Sequence, residues 1–347
     1  MVTAPAPPRV IPGGRYTNEF IFHVVGEKWL NHSPLERQSR NCGRIGLEVR
    51  SQTLFDQAAA LAKLLKPVYT RLGERVLEAP VIHVDETRWP RLDKKAETNY
   101  TVWTRTTPDI AHYAILGSRS QSAADCLLKG YEGTIVVDGY AVYECLARDG
   151  PDLHLANCWA HVLRRLRDQL KAFPKECDQG MRLIGEIYEI EREVEGPFPG
   201  DAEAQRQRLD LRDEKSRKAV ANFFDWCTTV GAPPRSKLGE TVRYALKRRK
   251  GLSRFLDDPR IALDNNAAER SLRDVVIGRK VHYGSKSKRG TEVASVFYTL
   301  FETAELCGVE PMRYLRAATE AALESPSRVL LPQDLIGAEV APMPPAG

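Results

Sequence analysis

Two short apolar runs in this sequence end in an aspartate. Val81, Ile82 and Val84 lead to Asp85, and Ile135, Val136 and Val137 lead to Asp138. Such runs read as central strands covered on both faces, so each carboxylate is expected to cap a buried strand. If those strands are parallel neighbours, the two side chains converge at the carboxyl edge of the sheet, where open α/β sheets hold their ligands. Either aspartate alone would serve equally as the start of a turn; the matched pair points to a site. Glu269 is the third acid. It recurs with Leu272 and Val276 at spacings of three and four, which puts its carboxylate on the apolar face of a helix. A charge there needs a metal ion or an arginine to relieve its burial, and a plain salt-bridged glutamate is the competing reading. Converging carboxylates are hard oxygen ligands, suited to Mg2+ or Mn2+ rather than zinc. Two such ions, about 3.5 to 4 Å apart, serve in-line phosphoryl transfer by activating the attacking oxygen and steadying the leaving one.

Cys158 and His161, within NCWAHVLRRL, stand where a strand should pass into a helix. They form half of a zinc site at most, and no second CxxC or HxxxH pair lies near, which favours a structural role. Arg164 follows on the same helix, with Arg165 and Arg167, and either contacts phosphates or belongs to a solvated basic face. The strongest basic cluster comprises Arg279, Lys280, His282, Lys286, Lys288 and Arg289, interleaved with Tyr283 and with Gly284, Ser285 and Gly290. A glycine-containing basic segment just after the Glu269 helix suits a DNA backbone, with Tyr283 stacking on a displaced base. An ordinary surface loop is the alternative. The run from Lys237 to Lys250 reads as well as a solvated face.

The elements that must position these residues follow from periodicity and turn signals. Residues 1–14 form a proline-rich tail. Residues 15–78 are helical: Ser33 and Pro34 start a helix, Gly43 to Gly46 break it, and Ser51 starts another whose apolar positions run from Leu54 to Val76, with Pro67 kinking or ending it. This is either an ordinary helical hairpin or a helix-turn-helix entering a major groove, with Arg44, Arg50 and Gln52 nearest the DNA. VIHVDET, NYTVWTRTT and IAHYAIL then read as three strands of a meander, followed by a short helix from Ser120 to Lys129, the strand TIVVD, the strand HLANCW and a basic helix. The expected fold class is α/β, a mixed sheet with flanking helices built from 79–164 and 260–306. A helical insertion, 165–259, interrupts it, with breaks at Gly196 to Gly200 and at Pro233 and Pro234. A helix after Asp264 should stop near Gly278; others run from Gly290 to Leu306 and from Pro311 to Leu323. Residues 307–347 form a C-terminal element and tail.

The chain has 347 residues, 42% of them hydrophobic and 28% charged. It is long enough for two domains and a proper core, and this composition is neither disordered nor membranous. No apolar run approaches the roughly 20 residues that span a bilayer. Seven cysteines, with no CxxC pair, do not describe a disulfide framework, and no secretory signal opens the chain. The cytoplasm, in association with the nucleoid, is the expected location. A formal charge of +5 permits a polyanionic partner without requiring one.

Taken in order, HVDETRWP, VVDGYAVY, CWAHVLRRL and DNNAAERSLRDVVIGRKVHYGSKSKRG resemble the IS66 family of bacterial transposases. The likeness runs from PPRVIPGGRY, through PLERQSRNCGRIGLEVRSQTL, to ETAELCGVEPMRYL. It implies a ribonuclease H-like catalytic fold with a helical insertion before the last acid, and DDE-type, metal-dependent cutting and joining of DNA at insertion-sequence ends. It maps the acidic triad onto Asp85, Asp138 and Glu269, with Asp264 the alternative third acid, and matches a CxxH signature to Cys158 and His161. The implied partners are double-stranded DNA of the element's ends and its target, further copies of the chain on that DNA, and accessory proteins of the element. The family ordinarily places a zipper-like helical region and a cysteine-rich zinc-binding module before the proline-rich stretch. Met1 falls almost on that stretch, which implies an N-terminally truncated copy. Two other functions stand beside an active transposase: a DNA-binding remnant or regulator that does not cut, and a metal-dependent nuclease or phosphatase on the same sheet.

Overall fold

Helix α1 (Asn18–Trp29) begins where the Thr17 hydroxyl accepts the Phe20 amide at 3.2 Å, satisfying a donor that the first turn leaves open. Its buried residues, Ile21, Phe22, Val24, Val25 and Trp29, share one broad face of the helix, with Glu19, His23 and Glu27 on the other. α2 (Leu35–Arg44), α3 (Ser51–Leu64) and α4 (Lys66–Glu78) follow. Pro67 stands second in α4, where a missing N–H costs no helical bond, and the long apolar run therefore divides at Leu65. The computed structural model describes residues 8–92, 100–150 and 152–337. The first seven residues of the proline-rich tail, the last ten of the C-terminal tail and Asn99 of the second expected strand lie outside them.

β1 (Val81–Trp89), β2 (Tyr100–Thr106), β3 (Ala111–Leu116), α5 (Gln121–Leu127), β4 (Gly133–Val137), α6 (Ala141–Asp149), β5 (Leu153–Asn157) and α7 (Trp159–Asp168) come next. The five strands form one mixed sheet in the order β3-β2-β1-β4-β5. β2 and β3 are an antiparallel hairpin, with Thr101 opposite Leu116 and Thr106 opposite Ala111. β4 runs parallel to both β1 and β5. β1 does not end at Asp85. It continues to Trp89, which is fully buried, and Asp85 therefore sits within the strand rather than capping it.

Between α7 and the last acid lie α8 (Pro174–Glu191), α9 (Ala202–Leu211), a π-helical turn at Arg212–Ser216, α10 (Arg217–Thr229), α11 (Lys237–Lys247) and α12 (Arg249–Ser253). The gaps between α8 and α9 and between α10 and α11 contain the Gly196 to Gly200 and Pro233–Pro234 breaks. α13 (Asn266–His282), α14 (Lys288–Leu306) and α15 (Pro311–Glu324) close the described helices. α13 runs past Gly278, which does not stop it. A Cβ at Gly278 would collide with the Tyr298 hydroxyl, so this glycine permits a close approach to α14 instead.

The chain divides into two compact units. One comprises Met1–Val76, Glu86–Arg119 and Ser271–Gly347, the other Leu77–Asp85 and Ser120–Arg270. In the first, α14 covers β3 with hydroxyls spaced four apart: Ser295, Thr299 and Thr303 accept the amides of Ile115, Tyr113 and Ala111 at 3.1, 3.0 and 3.2 Å. This edge strand thus has its outward N–H groups satisfied by side chains, which blocks pairing with another strand. In the second, Trp159, Val162 and Leu166 of α7 share a core with Phe223 and Phe224 of α10 and with Leu252, Ile261 and Leu263. Arg212, fully buried at the π-helical turn, donates to the Glu191 carboxylate and to the carbonyls of Phe255, Asp258 and Ile261.

Candidate active site

All three acids fall in the second unit. β1 and β4 pair in parallel with His83 opposite Val136, and carrying that register two residues on places Asp85 opposite Asp138, on strands about 4.8 Å apart. Strand alternation puts both on the face of His83. Glu86 faces the other way, and its carboxylate, only 1% exposed, is taken by Arg119 at 2.5 Å. Asp138 has a second duty. Its Oδ1 accepts the amides of Gly139 and Tyr140 at 2.6 and 2.8 Å, so one oxygen shapes the turn, as the competing reading expected, while the other makes no bond to a described residue. Gly139, at φ +137°, has no room for a side chain because Tyr244 and Arg248 lie against it. From α11, the Tyr244 hydroxyl donates to the Asp138 carbonyl at 2.5 Å and Arg248 to the Gly139 carbonyl at 2.8 Å. Part of the basic run from Lys237 to Lys250 therefore grips the Asp138 turn.

Glu269 lies in the first turn of α13. The buried stripe of this helix is Ala268, Leu272 and Val275, with Val276 only half-buried. Glu269 accordingly flanks that stripe instead of sharing a face with Val276. Its Oε2 accepts from Arg164 at 3.2 Å. Its Oε1 lies 3.8 Å from His161 Nε2 and has no hydrogen-bond partner. Burial holds the His161 imidazole below its ordinary pKa, while the charges of Asp138 and Glu269 oppose that shift. The charges of Asp138 and Glu269 are therefore both felt at His161, with the Glu269 carboxylate 3.8 Å from its Nε2.

Cys158 precedes α7 and is buried, and its burial pushes the thiol up to about 12. Sγ accepts the Asn265 amide at 3.2 Å, tying the start of α7 to the segment that enters α13. The ligand atoms of Cys158, His161 and Glu269 lie within 4.8 Å of one another. Asp264, the alternative third acid, is occupied on both oxygens: Oδ1 accepts the Asn266 amide at 3.0 Å, and Oδ2 accepts from Tyr188 at 3.2 Å and the Asn266 side chain at 2.7 Å. Sequence reasoning gave no role to His83, Tyr244 or Asn265. His83 stands two residues before Asp85 and Asn265 four before Glu269, a spacing that could have marked both as neighbours of the acids.

Arg44, Arg50, Gln52 and the basic segment from Arg279 to Arg289 belong to the first unit. Lys286 pairs with Glu36, and Arg289 with Asp56, each at 2.8 Å. Gln52 and Lys286 line one cavity of about 150 Å3 with Trp29, Phe55 and Trp89, so α3 and the basic segment meet. Arg279 donates to Thr87 and to the Arg88 carbonyl. Tyr283 is 69% exposed at φ +61°. Gly284, at φ +90°, packs so tightly on the Pro90 carbonyl that no other residue fits. Arg44 donates to Asn41 at 3.1 Å, Arg50 precedes α3, and Lys280 and Lys288 are exposed.

A mixed five-stranded sheet flanked by helices, with one aspartate in β1, one just past β4 and a glutamate on a late helix, defines a mixed α/β protein. The chain belongs to the IS66 transposase family, whose model matches residues 13–293. It is similar to the uncharacterized protein y4jD of Sinorhizobium fredii, 32% identical over 92% of this chain and 65% of that protein. The uncharacterized proteins y4qI and y4hP of the same organism are 31% and 29% identical, over 91% and 90% of this chain and 61% and 60% of theirs. The chain thus spans less than two thirds of the length of these relatives.

Proposed function

We propose that this chain is the catalytic part of a DNA transposase that cuts and rejoins phosphodiester bonds at the ends of its own element, with divalent cations held by Asp85, Asp138 and Glu269. The observation that supports the reading is the parallel register of β1 and β4, which, carried two residues past His83 and Val136, brings Asp85 opposite Asp138, while the charges of Asp138 and Glu269 both act on His161. The strand order β3-β2-β1-β4-β5 and the helical segment before α13 support a ribonuclease H-like core. The donor set fits a hard ion: the acids offer carboxylate oxygens, and Glu269 Oε1 lacks a partner. Mg2+ or Mn2+, when bound, would supply charge neutralisation and Lewis acidity for phosphoryl transfer.

In the first step a water oxygen bonds to phosphorus as the bond to the 3′ oxygen breaks, and the leaving strand keeps a 3′-hydroxyl. In the second step that hydroxyl attacks a phosphorus of the target and loses its proton, while an equivalent 3′ oxygen leaves. Asp85, Asp138 and Glu269 would hold the cations that face the reacting phosphate, and Arg164 balances the charge of Glu269. The exposed cations Arg44, Arg50, Lys280, Lys286, Lys288 and Arg289 hold the DNA backbone, and Tyr283 stacks on an unpaired base. The ion pair between Arg164 and Glu269 favours a second reading, a DNA-binding protein that does not cut. Incubating the protein with Mn2+ and duplexes carrying the element's ends separates the two. The proposal expects nicking that disappears in Asp138→Asn while DNA binding persists; cleavage undiminished in that variant excludes the assigned site.

A further inference from the structure

We infer that Asn265 and His83 are positioning residues that set the Glu269 helix against the Asp85 strand. This inference rests on the metal-dependent reading above. Asn265 is fully buried, and its polar groups are used in four directions. Its amide N–H goes to Cys158 Sγ at 3.2 Å, its side-chain Nδ2 donates to the Val84 carbonyl at 2.9 Å, and its Oδ1 meets His83 Nδ1 at 3.0 Å. Its carbonyl accepts the amide of Glu269 itself at 3.1 Å. One residue therefore links the peptide just before Asp85, the start of α7 and the third acid.

The orientation of this side chain follows from the donor inventory. A carbonyl only accepts, so the group facing Val84 must be the NH2, and Oδ1 is left facing His83, whose Nδ1 must then carry the proton. No other residue meets these demands in the same volume: aspartate has no donor for Val84, and leucine would strand both the carbonyl and the imidazole. Buried polar groups are retained when fully bonded, and a fully bonded network holds one geometry. Ligand constellations need placement within about 0.5 Å, which a loop leading into α13 would not otherwise supply.

Mn2+ binding to the full chain, read from the loss of the free-ion electron paramagnetic resonance signal, tests this apart from catalysis. Asn265→Ala and His83→Ala should each weaken binding by about tenfold to a hundredfold, the range for residues that orient metal ligands, with DNA affinity unchanged. The double variant should fall no further than the worse single one, because both remove the same contact. A lowered melting temperature with unchanged Mn2+ affinity would mean that the pair is merely structural, and overturns the inference. If Asn265→Ala does not fold, His83→Gln decides, since its amide can still donate to Asn265: restored affinity relative to His83→Ala supports positioning, and no restoration overturns it. Asp138→Asn run alongside keeps the two claims separate. If it binds Mn2+ as tightly as the unaltered chain, the proposed site itself fails; if it loses binding while Asn265→Ala and His83→Ala do not, only the positioning role fails.

Discussion

Replacing Arg212 by methionine asks whether the helices preceding α13 brace the segment that delivers the third acid. Methionine fills much of the same space, so the loss is polar. The Glu191 carboxylate, 15% exposed, loses a two-point partner at 2.9 and 2.6 Å, and the carbonyls of Phe255, Asp258 and Ile261 each lose a donor. Breaking a buried ion pair from one side costs about 3–5 kcal/mol. Arg208, whose Nε lies 2.8 Å from Glu191, remains to soften the effect, which places the expectation at about 3 kcal/mol, or roughly a hundredfold in an opening equilibrium at about 1.4 kcal/mol per factor of ten. Amide hydrogen exchange reads it locally. Protection across 254–261 should fall by about a hundredfold, with α14 unaffected, and Glu191→Leu added to Arg212→Met should restore part of it because no unpaired charge then remains. A fall of less than about threefold would refute the view that this arginine holds the segment.

Thr299→Val keeps shape while stranding the buried Tyr113 amide, and should cost about 1–3 kcal/mol in urea denaturation, with the exchange of that amide accelerated. Burial, with the charges of Glu305 and Asp274 behind it, pushes the Glu302 carboxyl up from 4.5 to about 8. The folded state therefore binds this proton more tightly than the unfolded one, and the stabilisation is complete below about pH 4.5 and lost as the pH rises through about 8. Melting temperatures across that window should decline in the unaltered chain and less steeply in Glu302→Gln. Burial pushes the thiols of Cys158 and Cys227 up to about 12 and that of Cys307 to about 11, so iodoacetamide at pH 8 should modify exposed Cys126 and spare those three, as peptide mass mapping would show.

The strands that carry Asp85 and Asp138 were legible because a β-branched run bounded by turn residues has few other uses, and the glycine and proline breaks of the helical segment were legible for the same reason. The extent of β1 was not: beyond Asp85 come three polar residues in a row, Glu86, Thr87 and Arg88, and the burial of Trp89 and the pairing of Glu86 with Arg119 that accompany the extended strand are not visible in a local window. Gly278 reads as a helix stop by propensity, yet tertiary contact with Tyr298 overrides it. Ser295, Thr299 and Thr303 look like blemishes on an apolar helix until β3 is laid against them. His83 and Asn265 lie far apart in sequence, and only the folded chain joins them. The helix that bears Glu269 is legible in the sequence, but its neighbours Arg164 and His161 come from an element roughly a hundred positions earlier.

The proposed convergence of Asp85, Asp138 and Glu269 on a shared cation is most directly tested by loading the protein with Fe2+ in place of Mg2+, adding ascorbate and peroxide, and sequencing the backbone cuts made by hydroxyl radicals released at the bound ion. Cuts clustered around residues 85, 138 and 269, suppressed by excess Mg2+, are the predicted outcome. Cuts confined to the neighbourhood of Asp274, Glu302 and Glu305, or to one of the three expected positions alone, would contradict it.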